Sequence, residues 1–197
     1  LFVLKASMQN TTFDASNIRI LQNNFYANVN KNIIFKTTQK DLCAKYVEQQ
    51  FDIKLLLEKT IFAIPNTNRV FFDYVLFKTY GNSNNFNIIV DYILCMFSDS
   101  INKYGNFECH INMQGFTITA AQRYKELICL FCQKCLQHNT QFARCLNFLY
   151  IYNPPSVISS ISTLFSPFID DVVKSKIILK SKGESINTIS KIEVKTT

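Results

Sequence analysis

The sequence predicts an α/β domain, a mixed or parallel sheet flanked by helices. Two observations carry that prediction. Between residues 69 and 179, apolar patterns of period two give way repeatedly to patterns of period 3.6. Turn residues mark most of the changes: Gly81, Gly105, Gly115 and Asn153-Pro154-Pro155. With 48% of its 197 residues hydrophobic, the chain can also bury a core.

Residues 1–36 alternate short apolar runs with Asn-rich breaks and are expected to form short strands or extended segments. Residues 38–60 place Leu42, Tyr46, Val47, Phe51 and Leu55 at helical spacing. "IPNTN" at 64–68 is turn-rich and is taken as the boundary between an N-terminal segment, 1–64, and a domain, 65–197. "RVFFDYVLF" (69–77) reads as a strand, being rich in aromatic and branched residues. Asn85 is placed to cap a helix over 86–103, with Ile88, Ile89, Tyr92, Ile93 and Met96 on one face and Gly105 as its stop. "FECHINM" (107–113) alternates as a strand does. Thr117 or Thr119 then opens a long helix to about residue 138. A strand over 145–153, a helix over 156–166 and a strand over 176–179 follow.

Composition excludes several functions. Four glycines, at 81, 105, 115 and 183, leave no room for a dinucleotide or Walker loop. His110 and His138 are the two histidines, so no zinc-protease helix exists. Cys109 and His110 are adjacent in a strand and point to opposite faces, which discourages a thiolate–imidazole pair. Asp170-Asp171 reads as a solvated turn. No catalytic residue, cofactor or metal site is expected. Seven cysteines without a regular framework indicate free thiols in a reducing, cytoplasmic compartment. The apolar run at the start, "LFVLKASM", is too short for a signal peptide, and no run is long enough for a membrane span.

"CLFCQKCLQH" (129–138) tests the exclusion of metal, since Cys129, Cys132, Cys135 and His138 lie three apart. On an α-helix each step of three turns about 300°, so the four side chains fan across about 180° and do not converge. Tyr124, Leu127, Ile128, Phe131 and Cys135 form one apolar stripe. Cys135 is therefore expected against the sheet, Cys132 at its flank and Cys129 facing away.

The segment 107–182 carries the functional signal. Asn112-Met113-Gln114-Gly115, Tyr150-Ile151-Tyr152-Asn153-Pro154-Pro155, Ser166-Pro167-Phe168-Ile169-Asp170 and Ser175-Lys176-Ile177 occur in that order. In this order and spacing the segment resembles the CRAL-TRIO lipid-binding family, which includes yeast-type phosphatidylinositol transfer proteins and the retinaldehyde and tocopherol carriers. The resemblance implies a lipid or other hydrophobic ligand held beneath an amphipathic lid helix. Val157, Ile161, Leu164, Phe165 and Phe168 follow the matching helical stripe, with serines and a threonine largely on the other surface. By the same resemblance, Tyr150 and Tyr152 join them around the ligand.

Lys174, Lys176, Lys180 and Lys182 fall within nine residues of a chain of net charge +7. The resemblance places Lys176 near a ligand headgroup or membrane phosphoinositide, and the cluster suits an anionic membrane surface. Nucleic acid fits less well, since no aromatic residues interleave the cluster. Two departures weigh against phosphatidylinositol exchange. Gln141-Phe142-Ala143-Arg144 stands where such members carry an acid, and Asn112 stands where the family carries Asp. The expected function is a non-enzymatic carrier or sensor, peripherally associated with membrane. The alternative is a protein-interaction module, virus-encoded or structural, that keeps the fold and binds a protein partner without a ligand cavity.

Overall fold

The computed structural model describes residues 15–29, 36–137 and 140–196. Its centre is a five-stranded sheet in the order β1 (Ile61–Ala63), β2 (Arg69–Asp73), β3 (Phe107–Asn112), β4 (Leu146–Tyr152) and β5 (Ile177–Leu179). β1 and β2 form an antiparallel hairpin; the other pairings are parallel. "IPNTN" is the turn of that hairpin, with Asn66 in the left-handed region at φ 59°. The mixed α/β class read from the sequence is the class observed.

Each parallel strand is added beside the one before it, always in the same direction. Right-handed crossovers then send the intervening helices to one face of the sheet. The crossover from β2 to β3 contains α4 (Tyr74–Tyr80) and α5 (Phe86–Tyr104). From β3 to β4 run α6 (Ile118–Arg123), α7 (Lys125–Phe131), a π-helical turn (Cys132–Leu136) and α8 (Gln141–Cys145). α9 (Ile158–Phe165), a 3-10 turn (Ser166–Phe168) and α10 (Asp171–Lys174) lead to β5. α11 (Lys182–Thr196) instead packs Ile192 against Ile64 and Phe71 on the opposite face. Before the sheet, α1 (Ala15–Asn28), α2 (Lys36–Glu48) and α3 (Ile53–Thr60) precede β1.

The core between sheet and crossover helices is largely aromatic. Phe97 and Phe107 stack with centroids 4.2 Å apart, and Tyr124 packs against Phe77 at 4.8 Å. Tyr80 is fully buried, and its hydroxyl donates to Thr60 Oγ1 at 3.0 Å. In β4 a register shift opposite Phe107 and Cys109 places both Leu146 and Leu149 in the core, though they lie an odd three positions apart.

Several expected elements differ. Residues 15–28 are helical rather than extended; residues 1–14 and 30–35 lie outside the described residues. The helix expected over 38–60 is two helices, because Asp52 accepts a hydrogen bond from Lys54 N and restarts the chain as α3. The strand expected over 69–77 ends at Asp73, whose side chain accepts from Val75 N and opens α4. α4 then buries Tyr74, Phe77 and Tyr80, an aromatic series that suits a helix as well as a strand. α5 starts after Asn85 and stops at Gly105, φ 78°, but its buried side is Phe86, Ile89, Val90, Ile93 and Phe97, with Ile88 exposed. Asn85 makes no capping bond from its side chain, which accepts from Asn82 N instead. Thr117 does cap α6, accepting from Ala120 N, yet the long helix breaks at Tyr124 and widens into the π-turn. That widening buries Cys132 together with Cys135.

Candidate ligand-binding site

Two rows of side chains run straight across the helix-covered face of the sheet. Phe72, Ile111 and Ile151 lie in register across β2, β3 and β4. Behind them, Val70, Cys109, Leu149 and Ile177 form a second row that reaches β5. These rows floor an apolar cavity of about 210 Å³. α5 and α7 wall it, and α9 closes it with Ile158, Ile161 and Phe165.

No charged residue lines this cavity. Burial pushes the thiols of Cys109 and Cys132, which do line it, up to about 12, so both are neutral. A cavity of this kind holds an apolar chain or ring by removing it from water, worth about 25 cal/mol per Å² of apolar surface. Its lining offers no acid, base or activated nucleophile.

Of the side chains expected around the ligand, Ile161 and Phe165 face the cavity and are buried. Val157 and Leu164 are exposed, at 37% and 40%. The helix starts two residues later than expected, with Val157 at its N-cap, so the inward stripe is 158, 161 and 165. Phe168 lies in the 3-10 turn, partly buried against the core. Tyr150 and Tyr152 project from the other face of the sheet, where the α11 side lies.

On that other face Tyr150 stacks on His110 at 4.8 Å, and the Tyr152 hydroxyl lies 2.8 Å from His110 Nδ1. His110 Nε2 is 3.2 Å from Glu108 Oε2, which also accepts from Arg69 Nε at 3.0 Å. Since the carboxylate can only accept, Nε2 carries the proton and Nδ1 accepts from the tyrosine. Burial lowers the imidazole pKa from 6.5 to about 4 against the opposing pull of Glu108. Sequence reasoning separated Cys109 from His110 across the sheet, but it did not find this network.

The lysines divide between the two ends of β5. Lys176, before the strand, donates from Nζ to Ala143 O at 3.1 Å and Leu146 O at 2.6 Å, the carbonyls around the end of α8. Lys174 pairs with Asp171 at 2.7 Å. Past the strand, Lys180 pairs with Glu184 at 3.3 Å and sits over the Tyr150 ring, while Lys182 begins α11 in solvent. Such exposed pairs contribute little energy and leave the surface basic.

Among the described residues no group of three or more His, Cys, Asp or Glu side chains is arranged to hold a metal ion. Cys132 and Cys135 are buried and Cys129 is half-buried; His138 lies outside the described residues.

A family model, the CRAL/TRIO domain, matches residues 70–193, more than half of the chain. The chain belongs to the CRAL/TRIO domain family. No curated protein matches it in a direct search. Membership implies binding of a small hydrophobic molecule or lipid by a module that is typically non-catalytic. The CRAL/TRIO match runs from β2 into α11 and so contains both rows of the cavity floor and its lid. Among the described residues, no helix is long and apolar enough to cross a membrane.

The geometry also accounts for the asparagine that replaces the acid of the CRAL-TRIO pattern. Asn112 is in register with Asp73, and its Nδ2 donates to Asp73 Oδ1 at 3.0 Å. Its Oδ1 accepts from Asn153 Nδ2 and from Gln114 N. One amide thus joins the ends of β2, β3 and β4, as both donor and acceptor. An aspartate here would set two carboxylates side by side and could not donate.

Proposed function

We propose that this protein is a non-enzymatic carrier or sensor of a lipid or similar hydrophobic molecule, with α9 as a lid that opens at an anionic membrane. The observation that carries the proposal is the apolar cavity, walled without a charge and closed by Ile161 and Phe165. Its existence favours a ligand carrier over an interaction module with a filled interior. In this reading residues 65–197 carry the binding domain, residues 1–64 precede it and complete its sheet with β1, and the protein is peripheral to a cytoplasmic membrane surface. Tyr150 and Tyr152 then shape the sheet from its far side. Val157, Leu164 and Phe168 belong to the lid and its hinge, and Lys174, Lys180 and Lys182 face the headgroups. With Lys176 held by main-chain carbonyls and no acid at 141–144, the proposed ligand is not phosphatidylinositol.

Organic extraction and native mass spectrometry of the purified protein test this directly. The expected result is a co-purifying lipid, or saturable uptake of a fluorescent acyl probe by the emptied protein. A chain that carries nothing and takes up no probe sinks the proposal.

A further inference from the structure

A second cavity, of about 310 Å³, lies between α1, α2, α4 and the turn from Gly115 into α6. Lys40, Lys78 and Arg123 line it and no carboxylate does. Arg123 is fixed: its Nη2 donates to Lys40 O at 3.0 Å and to Gly81 O at 3.2 Å, and the guanidinium rests 4.8 Å over the Tyr124 ring. Lys78 Nζ sits against the Gly115 turn, where a Cβ would lie 3.5 Å from it. Thr117 Oγ1 already accepts from Ala120 N, which leaves its hydrogen to donate.

Among the described residues, two buried side-chain polar atoms have no hydrogen-bond partner: Arg123 Nε and the Tyr124 hydroxyl. They belong to neighbouring residues, both lining this cavity, and Tyr124 is only 1% exposed. Arg Nε–H only donates, and the phenol has a donor to place. Native folds seldom leave such groups unpaired, so a pair of them on one wall calls for an acceptor. Three cations among the lining residues, with no carboxylate, favour an anion with several oxygens as that acceptor.

We propose that this cavity binds a phosphate group. Lys40 and Lys78 supply charge from its rim, and Arg123 Nε and the Tyr124 and Thr117 hydroxyls supply directed donors. Tyr74 and Tyr124 line both this cavity and the apolar one, so the phosphate is either free in solution or the head of an amphiphile whose chain lies beyond the two tyrosines. The anion site stands on its own observations and does not depend on the lipid reading.

Calorimetric titration of the full chain at constant ionic strength, with inorganic phosphate, lysophosphatidic acid and neutral monoolein as probes, tests the site. Saturable phosphate binding is expected, weakened roughly tenfold in K40Q/K78Q and several-fold in Y124F, with melting temperatures retained. Lysophosphatidic acid binding tighter than both phosphate and monoolein identifies a lipid head as the source; affinity no better than that of phosphate identifies the free anion. Phosphate behaving as chloride does, or binding equally to a folded K40Q/K78Q variant, overturns the proposal and leaves a water-filled cavity. Monoolein reports on the apolar cavity alone and is expected to bind K40Q/K78Q as it binds the unaltered chain. Its failure to bind at all would count against the lipid reading and not against the anion site.

Discussion

His110 is held neutral beneath α11 by its burial, with its proton directed at Glu108 and its lone pair at Tyr152. Its folded pKa lies below the unfolded value, so the unfolded chain binds the extra proton first as pH falls. The stabilisation is complete above pH 6.5 and declines toward pH 4. The loss across that window is on the order of 2–3 kcal/mol, measured as the urea midpoint against pH. H110Q is expected to flatten that slope. None of this was legible from one residue in a strand. Alternation correctly put Cys109 and His110 on opposite faces and left Glu108 on the side of His110, but Tyr152 comes from β4 and Arg69, which holds Glu108, from β2, both far away in sequence. Asn112 was equally opaque: it read as a lost charge, and its purpose shows only beside Asp73 and Asn153.

At the scale of elements, Lys176 ties β5 to the end of α8 through two carbonyls that have no helical partner to follow them. K176M is expected to lower stability by about 2 kcal/mol in urea unfolding, as loss of charge-assisted bonds does. A lysine serving only a ligand headgroup would leave the midpoint unchanged. The elements most readable in the sequence were those with one unambiguous period and a clear stop. β3, the core of β4, β5, α5 and α9 are of that kind. Two others were misread for identifiable reasons. "FFDYVLF" satisfies either period, and only the capping bond of Asp73 decides where strand becomes helix. α11 escaped notice because few of its described side chains face inward, chiefly Ser185, Ile189 and Ile192. Its start nevertheless carries a signal: Ser181 and Glu184 form a reciprocal capping box, with Glu184 Oε2 accepting from Ser181 N and Glu184 N donating to Ser181 Oγ.

For the whole molecule, sheet order decides what each face can do. Crossovers of one hand placed along one direction bury a single face under helices, and the cavity lies there, covered in part by the short α9. α9 has eight residues, whereas α5 has nineteen and the Gly105 stop. Hydrogen exchange is therefore expected to be fast in α9 and slow in α5, and an acyl ligand is expected to slow α9 while leaving α5 unchanged. Equal protection of the two helices without ligand would argue against a moving lid. Neither cavity was legible beforehand as a volume. The floor of the first depends on the register of four strands, and the second gathers residues from 22 to 124.

The neutral thiols in the apolar cavity have a chemical consequence. Only a thiolate adds readily to an enal, an epoxide or a peroxide, and Cys109 and Cys132 are almost never in that form at neutral pH. The one exposed cysteine, Cys95, lies on α5 and is not among the cavity-lining residues. An electrophilic or peroxidic guest could therefore rest against sulfur without being consumed by it.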